Sequence, residues 1–226
     1  MESDRRFADT KSHPWVAVDV VIYTLEQRKL QTLLVQVKEG AFAGRWAFPG
    51  GLVGAEESVD EAAEREVLER TGVKDGYIEQ LYTFGKPERD PATRAVSVSY
   101  LVLVPYPSVR LNPAPKYSDI RWFSAHRLPH LAYDHDQVGR LAIQRLRSKL
   151  QYTNIVYSLL PREFTLGELQ EVYETILNRP LDRRNFRKKI LALGLLTQLK
   201  KKRRGTHRPA SLYAFNEKRP MVIEML

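Results

Sequence analysis

The sequence predicts an α/β domain over residues 1–150, followed over residues 151–226 by a small helical unit that ends in a β-hairpin. Three observations lead there. Apolar runs of strand length alternate with loops and helix-length stretches in the first part, two capped helices and a basic hairpin fill the second, and the charge divides at the same place. Residues 1–150 carry 21 Lys and Arg against 20 Asp and Glu, whereas residues 151–226 carry 15 against 7, so nearly all of the formal +9 sits on the last third. A polyanion is the natural partner of such a segment, although solubilising charge has the same composition.

The elements follow in order. Val16 to Thr24 (VAVDVVIYT) is a buried strand, and Leu33, Val35 and Val37 belong to a second one beyond the polar turn from Glu26 to Lys29. Residues 40–57 hold several glycines and Pro49 and are expected to be loop. Ser58 with Glu61 three positions on is a capping box that opens a helix, which Gly72 closes. Leu81 to Phe84, Val96 to Val104 and Asp119 to Phe123 are further strands, with loop from Pro105 to Lys116. Asp136 is expected to cap a helix through Leu150, and Tyr152 to Arg162 to join the two parts.

In the second part, Thr165 and Glu168 form another capping box, and Leu166, Leu169, Val172, Tyr173, Ile176 and Leu177 line one helix face. A second helix runs from near Asp182 to Gly194 with Phe186, Ile190 and Leu193 inward. Leu195 to Leu199 and Ser211 to Phe215 are short strands around KKKRRGTHRP. Two short helices and a basic hairpin make a winged helix-turn-helix, whose second helix fits a major groove. At about 100° per residue Arg184, Asn185, Arg187 and Lys188 face away from the core, as base or backbone readers do. Thr165 and the amides beside it suit a phosphate, and Arg203, Arg204, His207 and Arg208 are the wing contacts. A solvated basic surface shares these features singly; a basic helix face, a basic hairpin tip and a near-neutral first domain together favour double-stranded DNA.

No segment approaches about 18 uncharged apolar residues, and MESDRRFADTKSHP lacks the apolar centre of a secretory signal. The chain has no cysteine, hence neither disulfides nor thiolate metal sites. A cytoplasmic protein without a membrane partner is expected, and no histidine sits at zinc-ligand spacing.

Chemistry concentrates in GGLVGAEESVDEAAEREVLERTGV, residues 50–73. Adjacent glycines bring backbone close to a ligand, and the following helix start offers amides to an anion such as a pyrophosphate. Hydrolysing one requires a divalent metal held by several carboxylates. Glu66 and Glu69 lie three apart on one helix face and Glu57 precedes the helix, so these are the candidate metal ligands. Arg70, four positions after Glu66, places a guanidinium in the same cluster, which weakens metal binding while keeping anion binding.

This segment resembles the Nudix signature: a glycine, five residues, a glutamate, seven residues, then Arg-Glu-apolar-any-Glu-Glu-any-Gly-apolar. Gly51, Glu57, Arg65, Glu66, Val67, Glu69, Gly72 and Val73 match it, RWAFPGG before it resembles the family's lead-in, and Arg70 stands in place of the second glutamate of the pair. Together with FTLGELQEVYETIL and RPLDRRNFRKKILALGLL, the chain from about residue 14 to 216 resembles the Nudix-related transcriptional regulators of the NrtR family. That resemblance implies a Nudix α/β/α sandwich followed by a winged helix-turn-helix domain. It further implies a homodimer on a roughly palindromic DNA operator, repression of NAD biosynthesis or salvage genes, and ADP-ribose as effector.

No cofactor is required under this reading, magnesium entering only with residual hydrolysis, and the chain is not expected to be an enzyme. The candidate ligand residues are Gly50 and Gly51 at the diphosphate, Arg45, Arg70 and Arg89 as anion partners, Asp19 and Asp90 for ribose hydroxyls, and Glu66 beside Arg70. Two alternatives stay open: a hydrolase of ADP-ribose or a related nucleoside diphosphate, and a sugar-responsive regulator of pentose use.

Overall fold

The structure, a computed structural model, describes residues 13–74, 76–105, 111, 112, 114–203 and 209–223. Its first domain is built on β1 (Trp15–Glu26), whose unbroken run of buried residues requires cover on both faces. β2 (Lys29–Val37) returns antiparallel beside it through a tight turn in which Gln27 and Arg28 adopt positive φ. Two very short strands follow, β3 (Trp46–Ala47) on β2 and β4 (Gly50–Leu52) on β1. The glycine-bearing segment expected to be loop therefore contains two sheet pairings, which depend on distant partners and leave no local pattern.

Helix α1 (Val59–Thr71) begins at Ser58, whose hydroxyl accepts from the Glu61 amide while the Glu61 carboxylate accepts from the Ser58 amide, and it ends at Gly72 with φ of 69°. After it come β5 (Tyr77–Phe84), β6 (Ala95–Leu103) and β7 (Tyr117–Ser124). β6 lies parallel to β1 and antiparallel to β5, and β7 pairs with β2. β5 begins four residues before the expected Leu81, because Tyr77 to Gln80 find partners on β6.

Alternate strand residues go to opposite faces. Val18, Val20, Ile22, Leu33 and Val35 pack with Ala62, Ala63 and Val67 of α1. Val21, Tyr23, Leu34 and Leu101 pack with Val138, Ala142 and Leu146 of α2 (His135–Tyr152) on the other side. The result is a helix–sheet–helix sandwich. α2 begins just before Asp136, with Asp134 at its N-cap, because the Asp136 carboxylate is engaged by the Leu131 amide and by His130.

The second domain holds α3 (Leu166–Leu177), α4 (Arg183–Ala192), β8 (Leu196–Arg203) and β9 (Ala210–Phe215), the last two an antiparallel hairpin. Thr165 and Glu168 form the expected capping box, and Asp182 caps α4. The connecting segment is packed rather than loose: Ile155 and Val156 are fully buried. One continuous apolar cluster runs from β1 through α2 to Leu169, Tyr173 and Ile176 of α3 and Ile190 of α4. Polar contacts reinforce this junction: Arg147 of α2 donates to the Ile176 carbonyl at 3.1 Å, and Arg28 pairs with Glu171 at 2.7 Å. Among the described residues no helix is long and apolar enough to cross a membrane.

Candidate ligand site and nucleic-acid interface

β1, β4 and the start of β7 surround a cavity of about 610 Å³, whose wall includes Asp19, Gly50, Gly51, Arg89, Asp90, Lys116, Tyr117, Tyr133 and His135. Five residues anticipated from sequence are in that wall. Arg45, Glu66 and Arg70 are not: Arg45 is exposed with its guanidinium carbon 5.9 Å from the Phe42 ring centroid, while Glu66 and Arg70 are buried behind the glycines.

The glycines serve close packing. A Cβ on Gly50 would stand 2.3 Å from the Val18 carbonyl oxygen, and one on Gly51 would stand 2.6 Å from a Glu66 carboxylate oxygen. At Gly50 the obstacle is backbone and no side chain fits; at Gly51 the ends of the Glu66 and Lys116 side chains would have to shift. The amino-terminal amides of α1 are not what faces the glycines, since Ser58 and Glu61 cap that end; residues further along the helix do.

Under Gly51, Glu66 accepts from Arg65 at 3.3 Å and from Arg70 Nε at 3.3 Å. Arg70, only 4% exposed, also donates to Glu69 at 2.5 Å and to the Asn112 carbonyl at 3.3 Å. The side chain that replaces the family's glutamate thus lies between Glu66 and Glu69, the other two acids of that cluster. Glu57 accepts two hydrogen bonds from Arg65, at 2.7 and 2.9 Å, and a third from the Gly54 amide. These bonds hold its carboxyl down at about 2. Among the described residues, no group of three or more His, Asp or Glu is arranged to hold a metal ion.

The opposite wall is also internally paired. Asp19 accepts from Arg89 at 2.9 Å and from Ser97 at 2.5 Å, with His135 Nε2 3.3 Å away. Burial opposes its ionisation, but His135, Arg89 and Ser97 outweigh that and hold the carboxyl far below the usual range. His135 Nδ1 accepts from the Phe48 amide at 2.9 Å, so the ring proton sits on Nε2 and points at Asp19. Arg89 divides its guanidinium between Asp19 and Asp134. Of the expected anion partners, Arg89 lines the cavity and Arg70 does not, and both guanidinia already have carboxylate neighbours. The carboxylate partners of Arg70 are near neighbours on its own helix, whereas Asp19 and Asp134 lie far from Arg89 in sequence.

Sequence reasoning missed Lys116, Tyr117, Tyr133 and His135. Lys116 Nζ donates to the Gly50 carbonyl at 2.5 Å and lies 3.5 Å from Glu66, and the Tyr117 hydroxyl donates to the same carbonyl at 2.8 Å. Tyr133, with φ of 55°, packs its ring tilted against Phe42 at 4.5 Å and against His135 at 5.2 Å, giving one side of the cavity an aromatic lining.

The second domain presents a different surface. Arg183, Arg184, Arg187, Lys188 and Lys189 all lie on α4. Among the described residues none of them forms an ion pair, and Arg187 Nε is buried without a hydrogen-bond partner. A groove of about 330 Å³ runs between Thr165, Arg183 and Arg187 on one side and Ser211 and Tyr213 on the other. Arg184 and Asn185 are exposed on the outer face. Arg203 is instead engaged by Glu168, and Lys201 by Glu163 at 2.8 Å. Arg204, His207 and Arg208, the other wing contacts expected, lie outside the described residues.

Residues 156–215 match the NrtR DNA-binding winged helix domain and residues 13–146 the NUDIX domain. The chain is 33% identical over 206 residues, 89% of its length and 82% of the relative's, to the ADPR responsive transcriptional repressor NtrR of Acinetobacter baylyi. It is also 32% identical over 126 residues, 56% of this chain and 71% of the relative, to an ADP-ribose pyrophosphatase of Methanocaldococcus jannaschii. Among solved structures, Shewanella oneidensis NrtR complexed with a 27mer DNA superposes with a TM-score of 0.79 at 35% identity, covering 89% of this chain and 93% of that one. A Nudix sandwich joined to a winged-helix domain, matched along both parts, makes this chain a member of the NrtR family of Nudix-related transcriptional regulators.

Proposed function

We propose that this protein is a repressor of NAD biosynthesis or salvage genes, whose winged domains bind a palindromic operator as a homodimer and whose Nudix domain binds ADP-ribose without cleaving it. The burial of the Arg70 guanidinium between Glu66 and Glu69 carries the non-catalytic part of this reading. A cation fixed there repels the divalent metal on which pyrophosphate cleavage depends. The cations of α4, without ion-pair partners among the described residues, support the DNA partner, and the similarity to an ADPR responsive repressor supports the effector.

The cavity suits such a ligand in outline. Its Gly50–Gly51 wall admits a diphosphate close to the backbone, and the half-buried Tyr133 ring, backed by the buried His135, offers an aromatic surface to a base. Asp90, at the rim, accepts a bond from the Ala92 amide and keeps acceptor capacity for ribose hydroxyls, whereas the oxygens of Asp19 are shared among protein donors. α2 starts at this cavity with His135 and reaches α3 through Arg147. Ligand and operator then influence one another if each favours a different setting of that helix. A coupling of about 1–3 kcal/mol changes operator affinity about 5- to 150-fold.

The test is fluorescence anisotropy of the full chain on DNA from upstream of NAD biosynthesis genes, with and without ADP-ribose, beside an assay for its cleavage with magnesium or manganese. Saturable binding that weakens with ADP-ribose is expected. Turnover of about 1 per second, a modest enzymatic rate, abolished by Glu66→Gln, would overturn the non-catalytic reading. Release by a pentose instead would reassign the effector.

A further inference from the structure

The carboxylates beneath the glycine strand are matched by cations one for one. Glu57, Glu66 and Glu69 face Arg65, Arg70 and Lys116, and each cation lies within 3.9 Å of at least one of the acids. Divalent ions are held where oxygen ligands carry excess negative charge, and no excess remains here. The residues present do not fit the metal that the fold family uses.

Two of these cations are of different kinds. Arg70 is buried and fixed, with its guanidinium spread over Glu66, Glu69 and the Asn112 carbonyl. Lys116 comes from the opposite side, from the residue before β7, and its side chain is 47% exposed in the cavity wall. Its ammonium has three donors. One is given to the Gly50 carbonyl and one is directed at Glu66, which leaves the third for the cavity. A Cβ on Gly51 would come within 3.0 Å of this nitrogen, so the ammonium sits directly beside the glycine backbone.

We propose that Arg70 and Lys116 together replace the divalent metal, closing its position from both sides, and that the cavity takes its diphosphate-bearing ligand in a metal-free form with Lys116 touching the phosphate oxygens. This deepens the ADP-ribose reading and rests on it for the identity of the ligand. It makes Lys116 a ligand-binding residue, and it implies that restoring a glutamate at position 70 alone leaves the metal position closed.

Two measurements on the full-length protein test it. The first is titration calorimetry with ADP-ribose in EDTA and in magnesium. Equal affinity in both is expected, with Lys116→Gln weaker by about ten- to a hundredfold, the usual worth of a charge-assisted hydrogen bond. Wild-type affinity that rises with magnesium, or a Lys116→Gln affinity equal to wild type, would overturn the proposal.

The second is manganese binding followed by electron paramagnetic resonance in Arg70→Glu, Lys116→Gln and the double variant. Only the double variant is expected to bind the ion tightly. Binding by Arg70→Glu as tight as by the double variant overturns the second closure. Should Arg70→Glu fail to fold, Arg70→Gln alone and with Lys116→Gln gives the same comparison. Absence of any ADP-ribose binding to the wild type would instead remove the proposed effector, while the manganese series still decides whether Lys116 closes the metal position.

Discussion

Helices α1 and α4 have similar vocabularies, EREVLER in one and RRNFRKK in the other, and opposite electrostatics. Every arginine of α1 is tied to a glutamate of its own domain. Among the described residues no cation of α4 has such a partner. Self-paired charge fixes a shape; unpaired charge of one sign repels itself and is retained at a cost to stability, recovered when a polyanion arrives. The difference separates a helix that supports a pocket wall from behind from one that, on the proposed reading, meets its ligand directly.

The largest expected effect falls on α4. Replacing Arg184 and Arg187 together by alanine should lower operator affinity at least about thirtyfold, since each base contact is worth about 1–3 kcal/mol. Fold and ADP-ribose affinity should not change. Unaltered anisotropy titrations on the double variant would remove α4 from the interface and dissolve the contrast.

A smaller effect is expected on α1. Arg70→Ala leaves the buried Glu66 with one fewer partner, and breaking a buried pair costs about 3 kcal/mol, read as a lower urea midpoint with unchanged slope. Tolerance of that change would mean that Arg70 serves the ligand rather than the helix.

The smallest effect concerns the partly exposed pair of Glu57 and Arg65. Because Arg65 and the Gly54 amide lower the Glu57 carboxyl from its ordinary 4.5 to about 2, its contribution is complete above pH 4.5 and fades as pH falls toward 2. The stability gap between wild type and Glu57→Gln should therefore close over that window. A gap that persists at pH 2 would show that charge is not what the pair contributes.

What sequence could reveal here follows the range of each interaction. The capping boxes of α1 and α3 are contained within four residues each and were legible, as was the apolar stripe of α3. The strands β3 and β4 were not, because two- and three-residue pairings exist only through β1 and β2. The start of α2 lies before Asp136 because that side chain meets His130 and the Leu131 amide. Arg70 announced itself by its place in a fixed motif. Lys116 could not: it stands 50 positions from Glu66 and reaches it only because β7 pairs with β2. For Arg89 the residue type was visible and its consumption by Asp19 and Asp134 was not.

The apolar cluster that passes from β1 through α2 into α3 and α4 has a consequence for how the molecule comes apart. A reading head with Leu169, Tyr173 and Ile176 in a common interior cannot be peeled away without exposing the back of the sandwich to water. The two halves are thus expected to melt in one cooperative transition, in which occupancy of the cavity would delay loss of the second domain on heating as much as loss of the cavity itself.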